Sequence, residues 1–148
     1  MGDAVFRVRR TIGEREIDEL GHVNNVVWLR MAMKLCGEHA VALGLSHAEL
    51  VATGGLFVVS RHEIDYLRAA FPGEEVIGET WVSEMHGARS TRHVRFSRAE
   101  DGAALVRLRS EWAYVDVARQ RPKRIPPAVL ERFALLAEPP PPSGAGAR

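Results

Sequence analysis

The sequence has a single cysteine, Cys36, so no intramolecular disulfide can form and no cysteine-rich metal site is available. That suits a reducing compartment, and a cytoplasmic location is the expectation. Five histidines, His39, His47, His62, His86 and His93, show no zinc-type spacing to one another or to Cys36, so no metal is assigned. An excess of one charge is also lacking: 20 Lys and Arg stand against 19 Asp and Glu, a formal net charge of +1. A dedicated nucleic-acid binder gathers a basic excess on one face, so no nucleic-acid partner is expected. Small basic clusters remain, and Lys123 with Arg124, or Arg89 with Arg92, could meet the phosphates of a small ligand. No run approaches the roughly 20 apolar residues needed to cross a bilayer, so no membrane partner is expected either. The opening residues, Met1 to Arg9, read as a strand rather than as a charged region followed by an apolar one, which speaks against a secretory leader.

What is present is ordinary globular composition, with 46% hydrophobic and 26% charged residues among 148. That length suits one domain, placed at residues 1–137, with a Pro- and Gly-rich tail over 138–148 expected to be disordered. Residues 5–12 alternate with a period of two and predict a strand, and the stretch from Gly13 to Val23 predicts a connection. Asn24 or Asn25 then caps a helix expected to run to Leu43, with Gly44 as its stop. Val27, Leu29, Met31, Met33, Leu35, Ala40, Val41 and Leu43 make that helix apolar nearly all round, so it is expected to be nearly buried. Four β-rich stretches follow, over 56–67, 75–85, 89–99 and 103–117, the last two separated by the tight-turn pair Asp101-Gly102. A short helix is expected over 128–137. One long helix against one curled antiparallel sheet of about five strands is an α+β arrangement.

Three blocks of residues carry a resemblance. Asp18, Gly21, His22, Val23, Asn24, Asn25, Trp28 and Leu29 form the first. The second runs from Val59 to Glu74 and includes Ile64, Tyr66 and Pro72-Gly73; the third is Gly87-Ala88-Arg89-Ser90. In order, they resemble the signature of hot-dog fold thioesterases of the 4-hydroxybenzoyl-CoA and long-chain acyl-CoA thioesterase group, in its His-Val-Asn-Asn branch. The resemblance implies a hot-dog fold and hydrolysis of acyl-CoA or acyl carrier protein thioesters.

The residue types suit such chemistry. Thioester hydrolysis needs a carboxylate that activates water or attacks the carbonyl, and donors for the developing oxyanion. Amide groups at a helix start are unbonded within the helix and lie at the positive end of its dipole. The resemblance puts the catalytic carboxylate at Asp18, the oxyanion donor at the backbone N–H of Asn25, and His22 beside the substrate or the water. It puts substrate contacts at Gly21, Val23, Asn24 and Trp28, with the acyl chain near Met31 and Ala32 and the coenzyme A phosphates near Arg89 and Ser90. Leu20 stands where plant acyl carrier protein thioesterases have asparagine, which favours an Asp-centred mechanism. Coenzyme A enters as part of the substrate, and no separate cofactor is expected. The resemblance further implies a homodimer or homotetramer, with the strand over 56–67 as the seam.

Two other readings fit the same fold. One is a hydratase or dehydratase on acyl thioesters, although Ala70 stands where those dehydratases carry their histidine before a Phe-Pro-Gly string. The other is an acyl-CoA-binding module without turnover, against which Asp18, His22, Asn24 and Asn25 all argue.

Overall fold

Alternation of apolar and polar residues forms five strands: β1 (Phe6–Thr11), β2 (Gly55–Tyr66), β3 (Glu75–His86), β4 (Arg89–Arg98) and β5 (Ala104–Asp116). The structure is a computed structural model that describes residues 3–141. The strands make one antiparallel sheet in the order β1-β3-β4-β5-β2. One row of paired residues, Phe6, Thr80, Val94, Leu108 and Ile64, crosses all five strands on the face that carries the core. Register shifts at Val59/Arg61, Val82/Glu84 and Phe96/Ser97 add local twist and curl the sheet. The expected turn at Asp101-Gly102 joins β4 to β5, with Gly102 at φ +72° and its N–H donating to the Arg98 carbonyl.

Helix α1 (Asn25–Ala42) lies across the inner face. Asn24 caps it: the side-chain oxygen accepts the Val26 N–H at 2.8 Å. Gly44 follows its last turn at φ +76°, as a helix stop requires. The helix is two-faced, not nearly buried as its composition suggests. Trp28, Met31, Ala32, Leu35, Cys36 and His39 are buried at helical spacing, while Val26, Arg30, Lys34, Glu38 and Val41 face outward. The charged residues claim one side of the cylinder, and the apolar residues among them are carried outward with it. Helix and sheet come close at Gly78, where a Cβ would stand 3.1 Å from Leu35 Cδ2 of α1 and 2.8 Å from Phe96 Cε1 of β4.

Two elements depart from the sequence reading. A short helix α2 (His47–Ala52), started by a Ser46–Glu49 capping box, connects α1 to β2 and buries Leu50 with Leu45, Tyr114, Ile125 and Val129. The terminal helix α3 covers only Pro127–Leu130. Strand β1 has six residues against twelve in β3, so among the described residues the far end of β3 has no strand on its β1 side. The chain after α3 runs there instead, with Leu136 N–H donating to the Val82 carbonyl at 2.9 Å. A sheet edge that offers hydrogen bonds outcompetes another helical turn.

On the outer face Glu79 is fully buried, with Arg7 Nε at 2.7 Å and Arg95 Nη2 at 2.8 Å. Arg95 also donates to the carbonyls of Pro140 and Pro141, and Pro140 is buried. These residues open the segment read as a tail; 142–148 lie outside the described residues. Among the described residues no helix is long and apolar enough to cross a membrane.

Candidate active site

The connection between β1 and α1 is a tight hairpin. Ile17 pairs with Val23, Asp18 N–H donates to the His22 carbonyl at 2.8 Å, and Gly21 N–H donates to the Asp18 carbonyl at 3.0 Å. Gly21 takes φ +81°, which glycine adopts without a steric penalty. The hairpin is rooted in the core: Val23 is buried and its N–H donates to the Ala70 carbonyl at 2.9 Å, while Asn24 N–H donates to the Glu16 carbonyl at 3.0 Å. It is therefore a fixed platform leading straight into α1.

Asp18 and His22 meet on this platform. One carboxylate oxygen of Asp18 accepts the Leu20 N–H at 2.9 Å, and the other lies 3.5 Å from His22 Nδ1. Both side chains are a little over one quarter exposed, so a small reactant can reach them without crossing the core. The His22 ring meets Phe71 edge-on with centroids 6.4 Å apart. Asn25 is the first residue of α1, and its backbone N–H makes no hydrogen bond among the described residues. Its carbonyl accepts the Tyr66 hydroxyl at 3.2 Å, which ties the helix start to the end of β2. The platform therefore has a carboxylate, an imidazole and an unspent amide at the positive end of a helix.

The other expected contacts are scattered. Trp28 is buried against Phe96 with ring centroids 5.1 Å apart, so it is part of the core. Arg89 is exposed on the outer face, within 3.8 Å of a Glu111 carboxylate oxygen, whereas Ser90 and Arg92 are buried on the inner face. Neighbouring strand residues point to opposite sides, so Arg89 and Arg92 cannot grip one phosphate as a pair. Lys123 is committed elsewhere, 3.7 Å from Asp116 Oδ2.

Sequence reasoning missed a cavity of about 660 Å³ between the second half of α1, α2 and the sheet. Its walls include Leu45, Leu50, Phe57 and Met85, and they also carry Ser90, Arg92 and Trp112. Asp18, His22, Asn25 and Trp28 do not line it. Arg92 Nη1 donates to His39 Nδ1 at 2.9 Å and to Thr80 Oγ1 at 3.0 Å. Burial, with the neighbouring guanidinium, pushes the His39 pKa down to about 4, so the ring is neutral and its Nδ1 can accept. Burial pushes the Cys36 thiol up, which makes it a poor nucleophile. A signal for this cluster existed: the inward positions of β4 begin with Ser90 and Arg92, two polar residues, before Val94 and Phe96. Among the described residues no three His, Cys, Asp or Glu side chains gather as metal ligands.

Comparisons with known proteins agree with this architecture. The sequence profile of the thioesterase-like superfamily matches residues 12–133. A 1,4-dihydroxy-2-naphthoyl-CoA thioesterase from Synechocystis superposes with a TM-score of 0.80 at 17% identity, over 91% of this chain and 99% of that one. A thioesterase from Thermus thermophilus, solved with coenzyme A and zinc, gives 0.73 at 25% identity, over 86% and 90% of the two chains. An acyl-ACP thioesterase from Bacteroides thetaiotaomicron gives 0.80 at 19% identity, over 95% of this chain but 58% of that one. No protein of curated function matches the sequence. The five-stranded sheet and its long helix are the hot-dog fold of these thioesterases.

Proposed function

The chain belongs to the thioesterase-like superfamily and is a thioester hydrolase; from that premise we propose that it cleaves acyl-CoA or acyl carrier protein thioesters with Asp18 as the reactive carboxylate. One observation carries the assignment of roles. The Asp18 carboxylate is held beside His22 on the hairpin that delivers the chain to the unbonded Asn25 amide. Asp18 takes a proton from the water that attacks the carbonyl, or attacks the carbonyl itself to form an anhydride that water later hydrolyses, while the Asn25 N–H stabilises the oxyanion. The carbon–sulfur bond then breaks, and the thiolate leaves and is protonated. A thiolate is a good leaving group, so no strong acid is needed opposite it. His22, fixed by Asp18 and Phe71, orients the water or the acyl group.

Gly21, Val23 and Asn24 shape the hairpin around the carbonyl, and Arg89, exposed at the β3–β4 turn, offers a guanidinium to the nucleotide phosphates. Strand β2 lies at a sheet edge and exposes Val58, Tyr66 and Leu67 beside it, which supports a homodimer joined there. The single buried thiol suits the cytoplasm. The test is thiol release from a panel of acyl-CoA and acyl carrier protein substrates by wild type and Asp18→Asn. Turnover lost in the variant, with ligand binding retained, supports the roles given; an equally active variant removes Asp18 from the mechanism. Light scattering tests the dimer, and a monomeric mass counts against the β2 seam.

A further inference from the structure

The cavity beside α1 has mostly apolar walls and a buried cation among them. Arg92 is 7% exposed; among the described residues its hydrogen bonds come from Nη1 alone and go to two neutral acceptors, and its guanidinium lies 6.0 Å from the Phe133 ring centroid. No carboxylate among the described residues lies within ion-pair distance of it; Lys34 and Glu38, on the wall, are exposed and of opposite sign. A guanidinium taken out of water without a counter-charge is expensive, and a structure that keeps one has a use for it.

A second, independent observation points the same way. The Trp112 side chain lines the same cavity, and its indole N–H is buried with no hydrogen-bond partner among the described residues. Buried donors are almost always satisfied in folded proteins. Trp112 pairs across the sheet with Ser90, and Arg92 follows Ser90 by two residues on the same strand. All three side chains line the cavity from neighbouring positions on the inner face of β4 and β5. A planar anion with two oxygens suits a guanidinium fork, and a carboxylate is the anion that an apolar molecule most simply carries.

We propose that this cavity binds an apolar molecule ending in a carboxylate, the carboxylate held by Arg92 with Trp112 and Ser90 and the apolar body lying against Leu45, Leu50, Phe57 and Met85. Two sources share that chemistry: an acyl thioester with a second, distal carboxylate, or a free monocarboxylic acid. The first source rests on the thioester reading above; the second does not.

The test is calorimetric titration of the full chain with decanoate and with the uncharged decanol. Decanoate is expected to bind at least about tenfold more tightly in wild type, the scale of one charge-assisted hydrogen-bonded contact. Arg92→Gln is expected to erase that preference, and Trp112→Phe to reduce it. Equal affinity for the two probes in wild type, no binding of either, or an unchanged preference in Arg92→Gln overturns the proposal. Should Arg92→Gln fail to fold, Trp112→Phe and Ser90→Ala decide, and a full preference in both overturns it. Kinetics then separate the sources. A lower KM for the CoA monothioester of a long dicarboxylic acid than for the plain acyl-CoA of equal length identifies a substrate tail. Equal KM values with decanoate still bound identify a free acid. Absence of thioester turnover sinks the hydrolase reading and leaves the titration standing.

Discussion

Asp18 divides its carboxylate between two partners: one oxygen accepts the Leu20 amide, and the other lies 3.5 Å from His22 Nδ1. The backbone bond fixes the rotamer of the acid, and the imidazole borders the oxygen left for chemistry. The two residues are four apart in sequence, and the turn that joins them also sets their separation.

Asp18→Asn is therefore expected to keep the Leu20 bond and the fold while lowering turnover about 10²- to 10⁴-fold, the range for loss of a positioned acid–base group. His22→Ala is expected to lower turnover less, because the carboxylate and the Asn25 amide stay in place. Steady-state thiol release measures both, and circular dichroism checks the fold. A loss in Asp18→Asn no larger than in His22→Ala would make the histidine the primary group.

His39 makes stability depend on pH. Its pKa falls from 6.5 to about 4 in the fold, first through burial and then through Arg92. Between those values the unfolded chain binds a proton that the folded one refuses, so stability is complete above about 6.5 and drains as the pH falls toward 4. The change from pH 7.5 to pH 5 is about 2 kcal/mol for this residue. Burial also lowers His62 and His93, so their contributions have the same sign. Urea unfolding at the two pH values measures the total, and His39→Gln is expected to flatten it. An unchanged slope in that variant would remove His39 from the account.

Gly78→Ala tests the close packing of α1 on the sheet. The added methyl group meets the Phe96 ring at 2.8 Å and Leu35 at 3.1 Å, so α1 or the ring must move. A loss of about 1–3 kcal/mol is expected by chemical denaturation, the usual cost of overfilling a packed core. The same change at Gly37, which has open space around it and an ordinary helical backbone, is expected to be neutral or stabilising.

Two outer-face ion pairs separate burial from mere proximity. Glu79 is fully buried between Arg7 and Arg95, whereas Glu75 meets Arg9 at 3.0 Å with both side chains more than half exposed. Glu79→Ala is expected to cost about 3–5 kcal/mol, because it strands Arg95 in a poorly hydrated site. Glu75→Ala is expected to cost under about 1 kcal/mol. Thermal unfolding of the two variants compares them directly, and equal losses would contradict the distinction.

The parts legible in the sequence were those whose cause is local. Asn24 before an apolar stretch specifies a helix start, the alternation around Val94 and Leu108 specifies strands, and Asp101-Gly102 specifies a turn. Asp18 and His22 were readable for the same reason, since one hairpin contains both. The rest depends on distant partners. Residues 131–137 have helical composition, yet the exposed edge of β3 draws Leu136 into a bond with Val82. Tyr66 reaches Asn25 only because β2 ends beside the helix start. Ser90 and Trp112 become neighbours through a strand register that spacing along the chain does not reveal.

The short β1 and the late segment at Leu136 both complete the flank of β3, one from each side of the chain. The β3-β4-β5 meander can therefore form early from contacts between sequence neighbours, while its flank must wait for two long loop closures. Refolding should reach protected amides in β4 well before those of β1, and the slow step belongs to the recruitment of the outermost pieces. The hairpin that carries Asp18 hangs from β1, so the protein becomes competent only when that last seam is sewn.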